Sequence, residues 1–189
     1  MGQRSQTAGD SSVSSLKVLV FVTPLGYWGL LGHGESLWGI TLGHSSPSSV
    51  FSHFGEAFEQ IPVDRFSTNW HSTLQVRLER YSGGTPVTFD DIELRLPPLS
   101  EFQRKVLETT RRLPYGSKMT YGQLADRAGY PRAARAVGSV MASNRFPIII
   151  PCHRVVGANS GSGGYSAPQG ITLKERLLQL ESHSENSDL

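Results

Sequence analysis

The apolar positions fall into two regimes. In the first half they come in short runs of strand length. Val18, Leu19, Val20, Phe21 and Val22 predict a strand over Leu16–Thr23, closed by the turn Pro24-Leu25-Gly26. Tyr27–Leu31 and Ser36–Leu42 predict two more strands joined by a glycine-rich hairpin. Val50, Phe54, Ala57 and Phe58 recur at helical spacing and predict a helix over Ser49–Glu59. A second helix is predicted over Trp70–Tyr81, ended by Gly83-Gly84, and a last strand over Pro86–Leu96.

After Pro97-Pro98 the spacing becomes helical, and three capping boxes mark helix starts: Ser100 with Gln103, Thr120 with Gln123 and Thr172 with Glu175. The first helix carries Phe102, Val106, Leu107 and Leu113 and ends at Pro114. The second is short and stops at Gly129. Pro131 then suits the first turn of a third helix running to about Ser143, with Asn144 able to close it. A short helix, a glycine turn and a second helix form a helix-turn-helix. Ala133, Ala136, Val137, Val140 and Met141 form the core face of its second helix. Arg132, Ala134, Arg135, Gly138 and Ser139 form the other. Small residues between arginines suit close approach to a nucleic-acid groove or to another helix. The expected fold is an α/β N-terminal domain followed by a mainly α C-terminal domain with a helix-turn-helix and a short active-site strand. The expected organisation is a tail over 1–15, an α/β domain over 16–97, a helix-turn-helix domain over 98–183, and a tail over 184–189.

The 189 residues suit one large or two small domains, and no apolar run reaches membrane-span length. Residues 1–97 carry 6 Lys/Arg against 9 Asp/Glu, whereas 104–154 carry 10 against 2. That basic stretch fits an anionic partner or a solvated face. The chain holds one cysteine, which cannot close an internal disulfide, so a reducing compartment fits: the cytoplasm, or the nucleus in a eukaryote. The six histidines, at 33, 44, 53, 71, 153 and 183, show no metal-ligand spacing, and no metal is expected.

The lone cysteine stands in Pro147-Ile-Ile-Ile-Pro-Cys-His-Arg-Val-Val-Gly157. Three isoleucines read as a buried strand that Pro151 ends, presenting Cys152 and His153. A single cysteine is commonly an inert small hydrophobe. The flanks argue otherwise. Glu181 falls four residues after Leu177 and three after Leu178, so it continues the apolar face of the last helix, where a carboxylate either finds a partner or bends out to water. Cys152, His153 and Glu181 are the nucleophile, base and orienter types of a triad. Neighbouring side chains on extended backbone diverge, so a water is expected to bridge thiol and imidazole.

Pro151-Cys-His-Arg-Val155 resembles the active-site signature of the methylated-DNA–protein-cysteine methyltransferases, the O6-alkylguanine alkyltransferases of DNA repair. Tyr121-Gly122-x-Leu124-Ala125, Arg135-Ala136-Val137-Gly138 and Asn144 precede it in that family's order, and the likeness covers about residues 100–181. The resemblance implies irreversible transfer of an alkyl group, chiefly methyl, from flipped-out O6-alkylguanine to Cys152, without cofactor. The implied partner is double-stranded DNA bearing O6-alkylguanine, met by a monomer. Arg135 would enter the duplex. Tyr121 would crowd the phosphate and reach the base, and Asn144 would tie the helix-turn-helix to the active-site strand. Tyr165, Ser166 and the Val155 carbonyl would hold the guanine between Met141 and Pro147. Two departures border that pocket and bear on the range of alkyl groups: Arg145-Phe146 where the family usually has Pro after the asparagine, and Ala167-Pro168 where it usually has Gly-Gly. A lesion binder without chemistry, a cysteine hydrolase and an alkylation-sensing regulator are the rival readings.

Overall fold

The computed structural model describes residues 16–57, 70–158 and 164–183. The predicted tails over 1–15 and 184–189 lie outside them, as do the end of the Ser49–Glu59 helix and most of the glycine-serine loop after the cysteine. Three antiparallel strands open the fold: β1 (Lys17–Thr23), β2 (Gly26–His33) and β3 (Ser36–His44), in that order across the sheet. Both faces are covered. Leu16, Val18 and Leu31 pack with Val50 and Phe54 of α1 (Pro47–Ala57). Gly29 permits this approach, because a Cβ there would meet the Val50 side chain at 2.3 Å. On the other face Leu19, Phe21, Trp28, Leu30, Ile40 and Leu42 pack with Leu74, Leu78 and Tyr81 of α2 (Ser72–Ser82).

That second cluster does not stop at Pro97. It continues through Val106 and Leu107 of α3 (Glu101–Arg111), Leu124 and Ala125 of α4 (Tyr121–Arg127), Val137 and Val140 of α5 (Ala134–Ala142), and Leu173 and Leu177 of α6 (Gly170–His183). Two-residue strands β4 (Met119–Thr120) and β5 (Val155–Val156) pair in parallel just before α4 and just after the cysteine. Ser100 and Thr120 each make a complete capping box, as their sequences require.

Several expectations are corrected. Pro86–Leu96 forms no named strand. Pro86 has no N–H, a turn occupies Phe89–Ile92, and only a bridge from Leu94 to Leu37 of β3 remains. The isoleucine run is a turn rather than a strand. Pro147 and Pro151 remove donors at both ends, Ile150 N–H returns to the Phe146 carbonyl at 2.8 Å, and Ile148 takes φ +73°, a left-handed conformation rare for a β-branched residue. Cys152–Arg154 is one 3₁₀ turn. Pro131 and Arg132 precede α5 instead of opening it, because Arg132 sits at φ +69°. Ala136 is exposed, not core. Helix α6 begins at Gly170, a turn set by Gly170 N–H to the Ala167 carbonyl, so Thr172 lies inside it and is no cap. Asn144 lies beyond the α5 C-cap residue, Ser143.

His44 ends β3, buried, with Nε2 2.6 Å from Thr41 Oγ1. Burial, and then the nearby His53 ring, lower its pKa to about 4. The folded pKa lies below the unfolded one near 6.5, so its contribution is complete above about pH 6.5 and is lost as pH falls toward 4. Urea unfolding between pH 7.5 and 4.5 is expected to show stability falling with acid, and His44→Asn is expected to flatten that fall.

Candidate active site

The site is assembled on a buried carboxylate. Glu181, 1% exposed, faces inward from α6 and accepts five hydrogen bonds. Oε1 accepts from Tyr81 Oη at 2.6 Å, His153 Nε2 at 2.8 Å and Arg154 Nη2 at 2.8 Å. Oε2 accepts from Arg154 Nε at 2.9 Å and the Gly116 amide at 3.0 Å. Burial pushes this carboxyl up, but the His153 and Arg154 hydrogen bonds and charges outweigh it and hold it well below the usual carboxylate range.

These partners set the imidazole's protonation. An ionised carboxylate only accepts, so His153 Nε2 carries the hydrogen and Nδ1 keeps its lone pair. Nδ1 is buried and has no hydrogen-bond partner among the described residues. Burial lowers the His153 pKa against the pull of Glu181, so the ring rests neutral. Cys152 is 5% exposed, and burial raises its thiol, opposed by a hydrogen bond from Asn144 and the charge of Lys174. The resting pair is therefore a protonated thiol beside a neutral base.

Asn144 holds the thiol's approach. Its Nδ2 donates to the Ile150 carbonyl at 2.8 Å and contacts Cys152 Sγ at 3.2 Å, while its Oδ1 accepts from Phe146 N–H at 3.0 Å. It spans from the end of α5 to the cysteine turn. Lys174, fully buried, donates to the Val155 carbonyl at 2.6 Å and lies 5.8 Å from the centre of the Tyr121 ring.

A cleft of about 720 Å³ reaches the thiol from the helix-turn-helix. Tyr121, Ala134, Arg135, Gly138, Met141, Cys152, Tyr165 and Ser166 all line it. Arg135 is exposed at its mouth. Arg132 and Ser139 are exposed but lie outside its lining. Pro147 lines an adjoining cavity of about 220 Å³, between the thiol and the sheet. Cys152, Tyr165 and Ser166 border both. The Tyr165 hydroxyl is buried without a partner among the described residues, and burial holds it and, more mildly, Tyr121 protonated as donors. Among the described residues no three His, Cys, Asp or Glu side chains are grouped to hold a metal.

The model of the 6-O-methylguanine DNA methyltransferase DNA-binding domain matches residues 101–183. The methylated-DNA–protein-cysteine methyltransferase of Methanopyrus kandleri is 47% identical over 121 residues, 64% of this chain and 86% of that protein. The chain belongs to the methylated-DNA–protein-cysteine methyltransferase family. The Mycobacterium tuberculosis member is 42% identical over 113 residues, 60% of this chain and 66% of that one. The crystal structure of the M. tuberculosis O6-methylguanine methyltransferase aligns with a TM-score of 0.74 at 32% identity, covering 92% of this chain and 96% of that one. A structure of the M. tuberculosis protein in complex with DNA aligns at 0.71, with 32% identity, over 88% and 93%.

Sequence reasoning missed four members of this methyltransferase site. Arg154 stands inside the signature but looked like one more surface cation. Lys174 was absorbed into a capping box, Tyr81 into a helix end, and the Gly116 amide has no side-chain signal at all. Only Arg154 offered a hint, as a cation next to the residue that Glu181 was expected to orient. Removing it would strand a buried carboxylate. Arg154→Leu is expected to lower the unfolding free energy by about 3–5 kcal/mol, read by urea denaturation, with Arg154→Lys losing less.

Proposed function

We propose that the chain is a DNA repair protein that extrudes O6-alkylguanine, chiefly O6-methylguanine, from duplex DNA and moves the alkyl group irreversibly to Cys152. The observation that carries this reading is that the protein's only cysteine lies in the cleft lined by the start of α5 and by Tyr165. The lesion's alkyl carbon sits inside the duplex, so a buried thiol reaches it only if the nucleotide leaves the stack.

The N-terminus of α5 has no side-chain cap and stands beside exposed Arg132 and Arg135, which suits backbone phosphates. Ala134 and Gly138 let the helix approach closely, Ser139 adds a hydroxyl, and Arg135 fills the gap the extruded nucleotide leaves. Tyr121 and Ser166 donate toward the leaving oxygen, and Tyr165 supplies its unpartnered hydroxyl to the base. The Val155 carbonyl keeps one lone pair beyond that held by Lys174 and accepts from the guanine amine. Met141 walls the base, and Pro147 bounds the space behind the sulfur.

In the reaction His153 Nδ1 draws the thiol proton through one water, with Glu181 holding the ring and stabilising the imidazolium. The thiolate attacks the alkyl carbon. The S–C bond forms, the C–O bond breaks with its electron pair on guanine O6, and the proton becomes available to the departing base. The product thioether has no carbonyl for water to attack, so each molecule acts once. The chain is proposed to act as a monomer. The substrate places the protein with genomic DNA, in the cytoplasm of a prokaryote or the nucleus of a eukaryote. No described helix is long and apolar enough to cross a membrane.

Intact mass after mixing with an O6-methylguanine duplex is expected to rise by ~14 Da, one methyl, on the Cys152 peptide and no further with excess DNA. Cys152→Ala is expected to bind the duplex without mass gain. Binding by the unaltered chain with no transfer would leave a lesion binder, and repeated turnover would leave a hydrolase.

A further inference from the structure

A side chain from the half of the chain before Pro97 reaches the Glu181–His153 pair. Tyr81, on α2, is fully buried. Its hydroxyl donates to Glu181 Oε1 at 2.6 Å and lies 3.2 Å from His153 Nε2. Its ring is fixed by Trp28, Phe89 and Tyr115, with centroids 6.5, 6.3 and 5.8 Å away. The hydroxyl's hydrogen is committed to the carboxylate, so the oxygen turns a lone pair toward Nε2–H. The imidazole N–H thus faces two acceptors, one from α6 and one from α2, both on the side away from Nδ1.

We infer that Tyr81 is a positioning residue for the alkyl transfer, holding Glu181 and the His153 ring in register so that Nδ1 serves the thiol. This rests on the transfer reading above. It gives the N-terminal half a part in the chemistry beyond support. Tyr81 never meets substrate. It acts by restricting rotation of two groups that do their work in the transition state, and a small misplacement there costs rate. The burial of its hydroxyl and the neighbouring carboxylate hold its pKa well above the usual phenol value, so it stays a donor throughout.

Tyr81→Phe removes one oxygen and keeps the ring. Tyr115→Phe is the matched control. Its hydroxyl donates across the same junction, to the Gly84 carbonyl at 3.1 Å. The experiment reads two quantities for the full chain and both variants: affinity for an O6-methylguanine duplex, and the single-turnover rate of methyl transfer at saturating duplex. Tyr81→Phe is expected to keep wild-type affinity and lose roughly tenfold or more in rate, the scale of one hydrogen bond to a charged group. Tyr115→Phe is expected to keep both. An unchanged rate in Tyr81→Phe, or an equal loss in both variants, overturns the positioning role while leaving the transfer reading standing. Failure of the unaltered chain to transfer overturns both.

Discussion

A carboxylate cannot be buried without partners, and the structure depends on how Glu181 is given its own. One charge removed from water is offset by an arginine fork, an imidazole, a phenol and a backbone amide. The donors come from three places in the chain: the cysteine turn, α2 and the loop before β4. Satisfying the charge therefore fixes the relative positions of these elements, and with them the tautomer of His153. A protonated thiol and a neutral imidazole result, so chemistry waits on a substrate that draws the proton across.

The hydrophobic core makes this assembly affordable. Because one cluster runs from β1 to α6, Tyr81 and Glu181, a hundred positions apart, are held within hydrogen-bond distance. Polar ties reinforce the junction close to the site. Ile40 N–H meets the Arg145 carbonyl at 2.8 Å, and Gln169, just past Ser166, donates to the Gly43 carbonyl at 2.7 Å. Arg145-Phe146 and Ala167-Pro168, read from the sequence as departures from the family pattern, thus sit next to contacts with the sheet. The smaller cavity, bounded by Arg145, Pro147 and Ala167, lies between them.

Much of this was legible in the residues. The three strands, the two N-terminal helices, the capping boxes at Ser100 and Thr120 and the glycine turn of the helix-turn-helix follow from local chemistry that tertiary contacts do not override. Cys152, His153 and the inward face of Glu181 were legible because a rare residue and a misplaced charge stand out. The isoleucine run misled, since its composition favours a strand while flanking prolines deny it ladder partners. Tyr81, Lys174 and the Gly116 amide were illegible for another reason. Each is ordinary in its own segment and acquires a role only through a partner far along the chain.

Glu181→Gln, which keeps the volume and removes the charge, tests the account most directly when the rate of methyl transfer to Cys152 is measured on duplex-saturated protein. With the fold confirmed by near-ultraviolet circular dichroism, the account predicts a rate roughly a hundredfold or more below that of the unaltered chain. A folded Glu181→Gln protein that transfers the methyl at the unaltered rate would contradict it.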